Sequence, residues 1–300
     1  MNPSPVTKKT VILAIIASFF ICLLIFFNNY FDERTKIVFC DVGQGDAAYI
    51  RIKNKIDVLI DAGPDKSVLS CLGKYMPFWD RKIELILISH NQKDHFGGLN
   101  YILDRYQIGT VFLVNDLNTS LQSFKRLKEK IINKKAKIEE TLAGKIIQAV
   151  QPRRLDEAKF TMIWPIRNLN SNNDNDFSNV LLFEENNFRV LFTGDASPFV
   201  FGRLSHGAID KVDILKIPHH GSKNGLTKNF LDLADPTVAV ISVGKNNSYG
   251  HPAKEILDML KAKNTRTERS RSIQIRRTDV EGNIIFKIPN PKHQETNKFQ

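Results

Sequence analysis

An almost unbroken apolar run, Ile83-Glu-Leu-Ile-Leu-Ile88, empties into Ser-His90-Asn-Gln92-Lys-Asp94-His95-Phe-Gly97-Gly98. The run has the length and composition of a buried β-strand, and the residues from Leu99 read as a helix. Two imidazoles and a carboxylate at a strand-to-helix turn can converge on one point, which is what a divalent cation such as Zn²⁺ or Mn²⁺ requires. The device recurs along the chain. Phe188-Arg-Val-Leu-Phe192 leads to Thr-Gly-Asp195, and Val212-Asp-Ile-Leu-Lys-Ile217 leads to Pro-His219-His220-Gly-Ser222. Val238-Ala-Val-Ile-Ser242 leads to a loop that holds Asn247, Tyr249 and His251. Six of the seven histidines fall between His90 and His251, and five of those six directly follow a predicted strand. A rigid sheet fixes the loops that leave its strand ends, and sites of layered α/β folds gather there. The chain is therefore expected to be an α/β protein with a metal centre.

The N-terminal segment obeys a different rule. Val11 to Phe27 contains no charge, Gly or Pro, and Lys8 and Lys9 stand just before it. These 17 residues reach the short end of what spans a bilayer. No small-residue cleavage site ends the run, so residues 1–30 are expected to form a short stub and an uncleaved transmembrane helix. With Lys8 and Lys9 cytoplasmic, the remainder lies outside the cytoplasm. Arg34, Lys36, Arg51 and Lys53 beyond the run leave the opposite orientation open.

From Lys36 the pattern is β-like. Strands are predicted over 37–41, 47–52 and 57–61 as a meander, and again over 109–114. A basic helix follows, with Leu121, Phe124, Leu127, Ile131 and Ile132 on one face and lysines on the rest. A helix from Ala253 to Lys263 and a closing pair of strands near 272–277 and 283–288 complete the expected fold, and residues 289–300 read as a disordered tail. The three cysteines have no CxxC spacing, which excludes a cysteine knuckle. Cys40 and Cys71 are read as two isolated buried thiols, pairing outside the cytoplasm being the alternative. A net charge of +11 favours a polyanionic partner or marks a solvated Lys-rich surface. Charge does not choose between them.

Taken in order, six stretches carry a resemblance. They are Asp41-Val-Gly-Gln-Gly-Asp46, Leu-Ile-Asp61-Ala-Gly63, Ser-His90-x-x-x-Asp94-His95-x-Gly-Gly, Phe-Thr-Gly-Asp195-Ala, Ile-Pro-His219-His220-Gly-Ser222, and Ile-Ser-Val-Gly244 with Asn247-Ser-Tyr249-Gly-His251-Pro. Together with Thr278-Asp279 and Gly282, they resemble the metallo-β-lactamase-fold domain of ComEC-type competence proteins over residues 36–288. The resemblance implies a four-layer αββα sandwich, here preceded by one transmembrane helix, and a hydrolase centre of usually two divalent ions (Zn or Mn). It implies His90, Asp94, His95, Asp195, His220 and His251 as ligands, with Asp195 bridging. His219 is then a donor behind a ligand, and Ser222, Asn247 and Tyr249 either stabilise charge or fix loops. No counterpart of the family's multi-spanning channel is present, so the hydrolase is implied and transport is not.

Two departures bear on the chemistry. Gln92 stands where the family motif carries a His or Asp ligand, and a neutral amide binds a cation more weakly. No histidine lies between His95 and Asp195; Asn175 and Ser178 match what ComEC-type domains carry there. One ion site is thus expected to be poorer than the other. The reading that results is a membrane-anchored, extracytoplasmic phosphodiesterase acting on DNA in connection with competence. The alternatives are a hydrolase of another phosphodiester or ester, and a metal-poor DNA-binding protein without catalysis.

Overall fold

The computed structural model describes residues 7–30, 32, 34–114, 121–148, 158–204, 207, 209–263 and 272–288. The predicted tail lies outside these, as do Arg266, Arg269 and Arg271. Two seven-stranded sheets face each other. The first contains β1 (Lys36–Phe39), β2 (Ala48–Ile52), β3 (Ile56–Ile60), β4 (Lys82–Leu87), β5 (Gln107–Val114) and β6 (Lys137–Thr141). The second contains β7 (Ile146–Gln148), β8 (Lys159–Trp164), β9 (Val180–Glu185), β10 (Phe188–Phe192), β11 (Ile214–Lys216), β12 (Val238–Ile241) and β13 (Gln274–Arg277). β14 (Ile284–Lys287) returns to the first sheet beside β1.

Both faces of each sheet are covered, which is why the strands read as continuous apolar runs. Val238 and Val240 of β12 face the core between the sheets, while Ala239 and Ile241 face an outer core. One long helix, α1 (Lys8–Tyr30), precedes the sandwich. The outer layer on the first sheet holds α2 (Val68–Tyr75), two short helices α3 (Lys93–Phe96) and α4 (Leu99–Ile102), and α5 (Gln122–Asn133). The outer layer on the second holds α6 (Pro198–Phe201), α7 (Lys228–Ala234) and α8 (Lys254–Lys263). A last turn, α9 (Thr278–Glu281), links β13 to β14. The architecture is the expected αββα sandwich of the metallo-β-lactamase type.

Several expectations are corrected. The two closing strands form where expected but in different sheets: β13 joins β12 in the second and β14 joins β1 in the first, because α9 carries the chain across the sandwich between them. Cys40 and Cys71 are a disulfide, with Cα atoms 5.8 Å apart, within the usual reach of such a bond. Cys40 leaves β1 and Cys71 sits on α2, and both enter the same outer core; sequence spacing held no trace of that proximity. On α5, Phe124, Leu127 and Ile131 are buried as expected, but Leu121 and Ile132 are exposed. The expected transmembrane helix is not confirmed, though not overturned: among the described residues, no helix is long and apolar enough to cross a membrane.

Candidate metal centre

β3 to β6 run parallel, as do β10 to β13, so the loops leaving them emerge along one edge of the sandwich. The His90–His95 loop lies against the turn after β3. Ala62 N–H donates to the His95 carbonyl at 2.6 Å and Gly98 N–H to the Gly63 carbonyl at 2.9 Å. A Cβ on Gly98 would lie 2.0 Å from the Ala62 oxygen, and one on Gly97 2.1 Å from the Pro64 oxygen. Only glycines permit this approach, and the approach sets His95 over Asp61.

Asp94, His95, Asp195 and His220 bring ligand atoms within 4.8 Å of one another. His95 Nε2 lies 3.3 Å from Asp195 Oδ1 and 3.9 Å from Asp94 Oδ2. His220 Nε2 lies 3.3 Å from Asp94 Oδ2 and 3.4 Å from Asp195 Oδ2. The outward nitrogens are aimed by groups behind the rings. His95 Nδ1 contacts Asp61 Oδ2 at 2.9 Å, and Asp61 also accepts from Ser89 N–H at 2.7 Å. His220 Nδ1 donates to the Ser242 carbonyl at 3.0 Å. His219 and His220 hold φ of 52° and 53°. Left-handed conformation in such residues costs of order 1 kcal/mol each and persists where surroundings impose it. Here β11, the Gly194 carbonyl and Ser242 impose it.

His90 and His251 stand beside this group. The His90 ring is 4.2 Å from that of His95, and the His251 ring lies 5.9 Å from that of His219. Gln92 does not turn inward alone: its Nε2 donates to Asn175 Oδ1 at 3.0 Å, and Asn175 Nδ2 reaches His219 Nδ1 at 3.4 Å. Asn175 thus ties Gln92 to His219 across the site. Asn247 is engaged within its own loop, donating to the Gly244 and His251 carbonyls and accepting from Tyr249 and His251 N–H groups. Tyr249 is exposed, its ring stacked on His251 at 5.8 Å. Buried Ser222 accepts from Asn224 N–H at 3.3 Å. The Asn247 side chain is thus committed to holding its own loop.

Three participants were missed from sequence as site residues. Asp46, Asp61 and Lys216 lie directly behind the ligand group. Lys216 is buried and ion-paired to Asp46, sits 3.7 Å from Asp195 Oδ1, and donates to the Gly194 carbonyl at 2.8 Å. Its only signal was a charged residue inside an apolar strand run. Asp46 and Asp61 stood inside quoted motifs but resembled turn residues. Basic residues close after the His251 loop are partly neutralised: Lys263 pairs with Asp235, Arg276 with Glu281 and Arg277 with Asp279.

The electrostatics follow from burial and these partners. Burial would raise the Asp195 carboxyl, yet His220 and His95 hold it well below the usual range. Burial would lower both imidazoles, yet Asp195 foremost among their partners raises His95 and His220 well above 6.5. Asp94 is held at about 2 against burial, by His220 and then His95. Burial, aided by the His95 charge, drives His90 down to about 3. The fit to a divalent cation rests on unpartnered atoms: His90 Nε2, His95 Nε2, both Asp195 oxygens, His220 Nε2 and His251 Nδ1 are buried without a hydrogen bond. Buried polar atoms are ordinarily satisfied, and this donor set of imidazole and carboxylate is what such an ion takes.

A metallo-β-lactamase-type sandwich with a carboxylate–histidine cluster at its edge is the class defined by fold and site. No family model matches the chain. It is 25% identical over 294 residues to ComE operon protein 3 of Bacillus subtilis, across 90% of this chain and 35% of that protein. It is 28% identical over 267 residues to Recombination protein 2 of Haemophilus influenzae, across 85% and 31%. Its homologues are thus proteins named for competence and recombination, and the chain spans about a third of their length. Zn²⁺-bound PqqB from Methylobacterium extorquens shares the fold at a TM-score of 0.55 and 10% identity, over 84% of this chain and 99% of that one. CmlA, a diiron β-hydroxylase from Streptomyces venezuelae, does so at 0.55 and 15%, over 85% and 54%.

Proposed function

We propose that the chain is a metal-dependent hydrolase of phosphodiesters, with DNA as its substrate, and that α1 anchors it in a membrane with the catalytic domain outside the cytoplasm. The observation that carries the hydrolase reading is the convergence of unpartnered, buried imidazole and carboxylate atoms at the strand ends. Asp94, His95, Asp195 and His220 would hold a divalent ion, with His90 and His251 as flanking ligands. Such an ion lowers the pKa of a bound water toward neutrality and so supplies a nucleophile at ordinary pH. Asp61 and Ser242 keep His95 and His220 pointed at the ion, and Lys216 holds the inner side of Asp195. Competence-related homologues and a net charge of +11 support DNA as substrate. The uncharged run Val11 to Phe27 supports the anchor, and the Cys40–Cys71 disulfide supports an oxidising compartment. Domain limits of 1–30, 36–288 and 289–300 belong to the same proposal.

The test is purified protein with Mn²⁺ or Zn²⁺ against single- and double-stranded DNA, RNA and a small phosphodiester, with Asp94→Ala as control. DNA cleavage that needs metal, falls steeply with added salt and disappears in Asp94→Ala is the expected result. Intact DNA beside a cleaved small ester moves the substrate to another phosphodiester. The bond from Gln92 to Asn175 favours one alternative, a metal-poor DNA-binding protein; tight DNA binding with no bound metal by elemental analysis would establish it.

A further inference from the structure

The edge of the sandwich opposite the site carries an exposed aromatic pair. Phe78 is 79% and Trp79 54% exposed, with ring centroids 4.8 Å apart in edge-on contact. They sit in the turn between α2 and β4. That turn is fixed: Asp80 N–H donates to the Pro77 carbonyl at 2.9 Å, and Asp80 Oδ2 accepts from buried Arg51 at 3.1 Å. A large exposed aromatic on a pinned turn is kept out of the core by the turn itself.

Register places this turn. Lys36 at the start of β1 pairs with Arg51, and Arg51 with Asp57 at the start of β3; β4 begins beside them at Lys82. The turn before β4 therefore lies on the edge where the chain arrives from α1. Tyr30 ends α1 six residues before Lys36, and three strand spacings from β1 to β4 amount to about 14 Å. The same edge is basic. Arg81, Arg105 and Lys134 line an open cleft of ≈ 590 Å³ with Tyr106 and Asp104. Arg81 lies over the Tyr106 ring at 5.9 Å, and Asp104 is engaged by Lys130 and Lys134.

We propose that this edge docks on an anionic lipid bilayer, with Phe78 and Trp79 at headgroup depth and Arg81, Arg105 and Lys134 on lipid phosphates. Amphipathic aromatic rings settle at that depth, and basic side chains near it gain from anionic headgroups. The proposal rests on α1 as an anchor and goes beyond it by fixing how the domain stands. The metal centre then faces away from the bilayer, one strand length or about 20 Å out, open to a polymer arriving from outside.

The chain has two tryptophans, and Trp164 is 1% exposed, so it serves as an internal reference. The full chain is reconstituted into vesicles containing phosphatidylglycerol and lipids brominated on their acyl chains. The expected result is quenching of a blue-shifted tryptophan signal that is lost in Trp79→Phe and weakened when phosphatidylcholine replaces phosphatidylglycerol. Vesicle flotation without Trp79 quenching would overturn the docking and leave the anchor standing. Failure to float would overturn the anchor and the docking with it. A Trp79 shift that depends on protein concentration in lipid-free detergent would overturn the proposal in favour of contact between copies.

Discussion

Two acidic clusters meet at His95, and their charges are answered differently. Behind the ring, Asp46 and Asp61 are met from within: Lys216 pairs with Asp46, Ser89 N–H with Asp61, and His95 Nδ1 with Asp61. In front of it, Asp195 and the outward nitrogens of His95 and His220 have no hydrogen-bond partner. Buried carboxylates without counter-charge are costly. The chain pairs one buried lysine closely with the inner cluster, while in the outer one Asp195 is answered chiefly by the His220 and His95 imidazoles, the groups a cation would compete with. The two kinds of neutralisation predict different failures.

The largest effect should come from Lys216→Met. It leaves Asp46 with only the His220 and His95 imidazoles as counter-charge, and breaking a buried pair costs about 3–5 kcal/mol. Urea unfolding of the metal-free protein measures this, and Asp46→Asn in the same chain should restore part of the loss. Unchanged stability in Lys216→Met would mean that the inner cluster is not held by its lysine. Next is Asp61→Asn, which removes the carboxylate behind His95. Loss of such a partner typically lowers metal affinity about 10–100-fold. Chelator competition reads the change, and a tight site in Asp61→Asn would break the link between the clusters.

The pH dependence separates them by sign. In the metal-free protein Asp195 raises His95 and His220 well above 6.5 against burial. A raised imidazole stabilises the fold fully below its unfolded pKa, and that contribution is lost as pH climbs through the raised value. His90, lowered to about 3 by burial and by His95, behaves oppositely. Its contribution is present above 6.5 and fades as pH falls toward 3. A cation needs neutral imidazoles, so binding should expel a proton from each of His95 and His220 and tighten with rising pH. Heats of Zn²⁺ or Mn²⁺ binding in buffers of different ionisation enthalpy count the protons, and none released would refute the pairing with Asp195.

The same contrast explains what sequence could show. The outer cluster was legible because ligand residues directly follow apolar runs, and a strand end is a place fixed by the sheet. His90, Asp94, His95, Asp195 and His220 were placed at one edge on that ground. The inner cluster was not, since Lys216 lies within a strand and its partner Asp46 is 170 residues away. Cys40 and Cys71 fall in the same class, as do the unforeseen β6, β7 and β8, whose short runs carry Glu, Gln and Lys at sheet margins. Local pattern reports what a residue follows. It does not report what folds onto it.

Gln92 tests the outer cluster most finely. It stands where the resemblance implies a ligand, yet its amide nitrogen is committed to Asn175 at 3.0 Å, and Asn175 leads on to His219. Gln92→His offers a neutral imidazole, a stronger ligand for a borderline ion. The same change removes the bond to Asn175, worth about 1 kcal/mol, and loosens His219. These terms oppose each other, so metal affinity should rise by less than about tenfold, with stability slightly reduced. A Gln92→His, Asn175→Ala chain separates them, because there the bond is already absent and only the ligand gain remains. If metal counting then finds no tighter binding than in Asn175→Ala alone, position 92 does not face the ion, and the outer cluster is complete with the carboxylates and histidines it has.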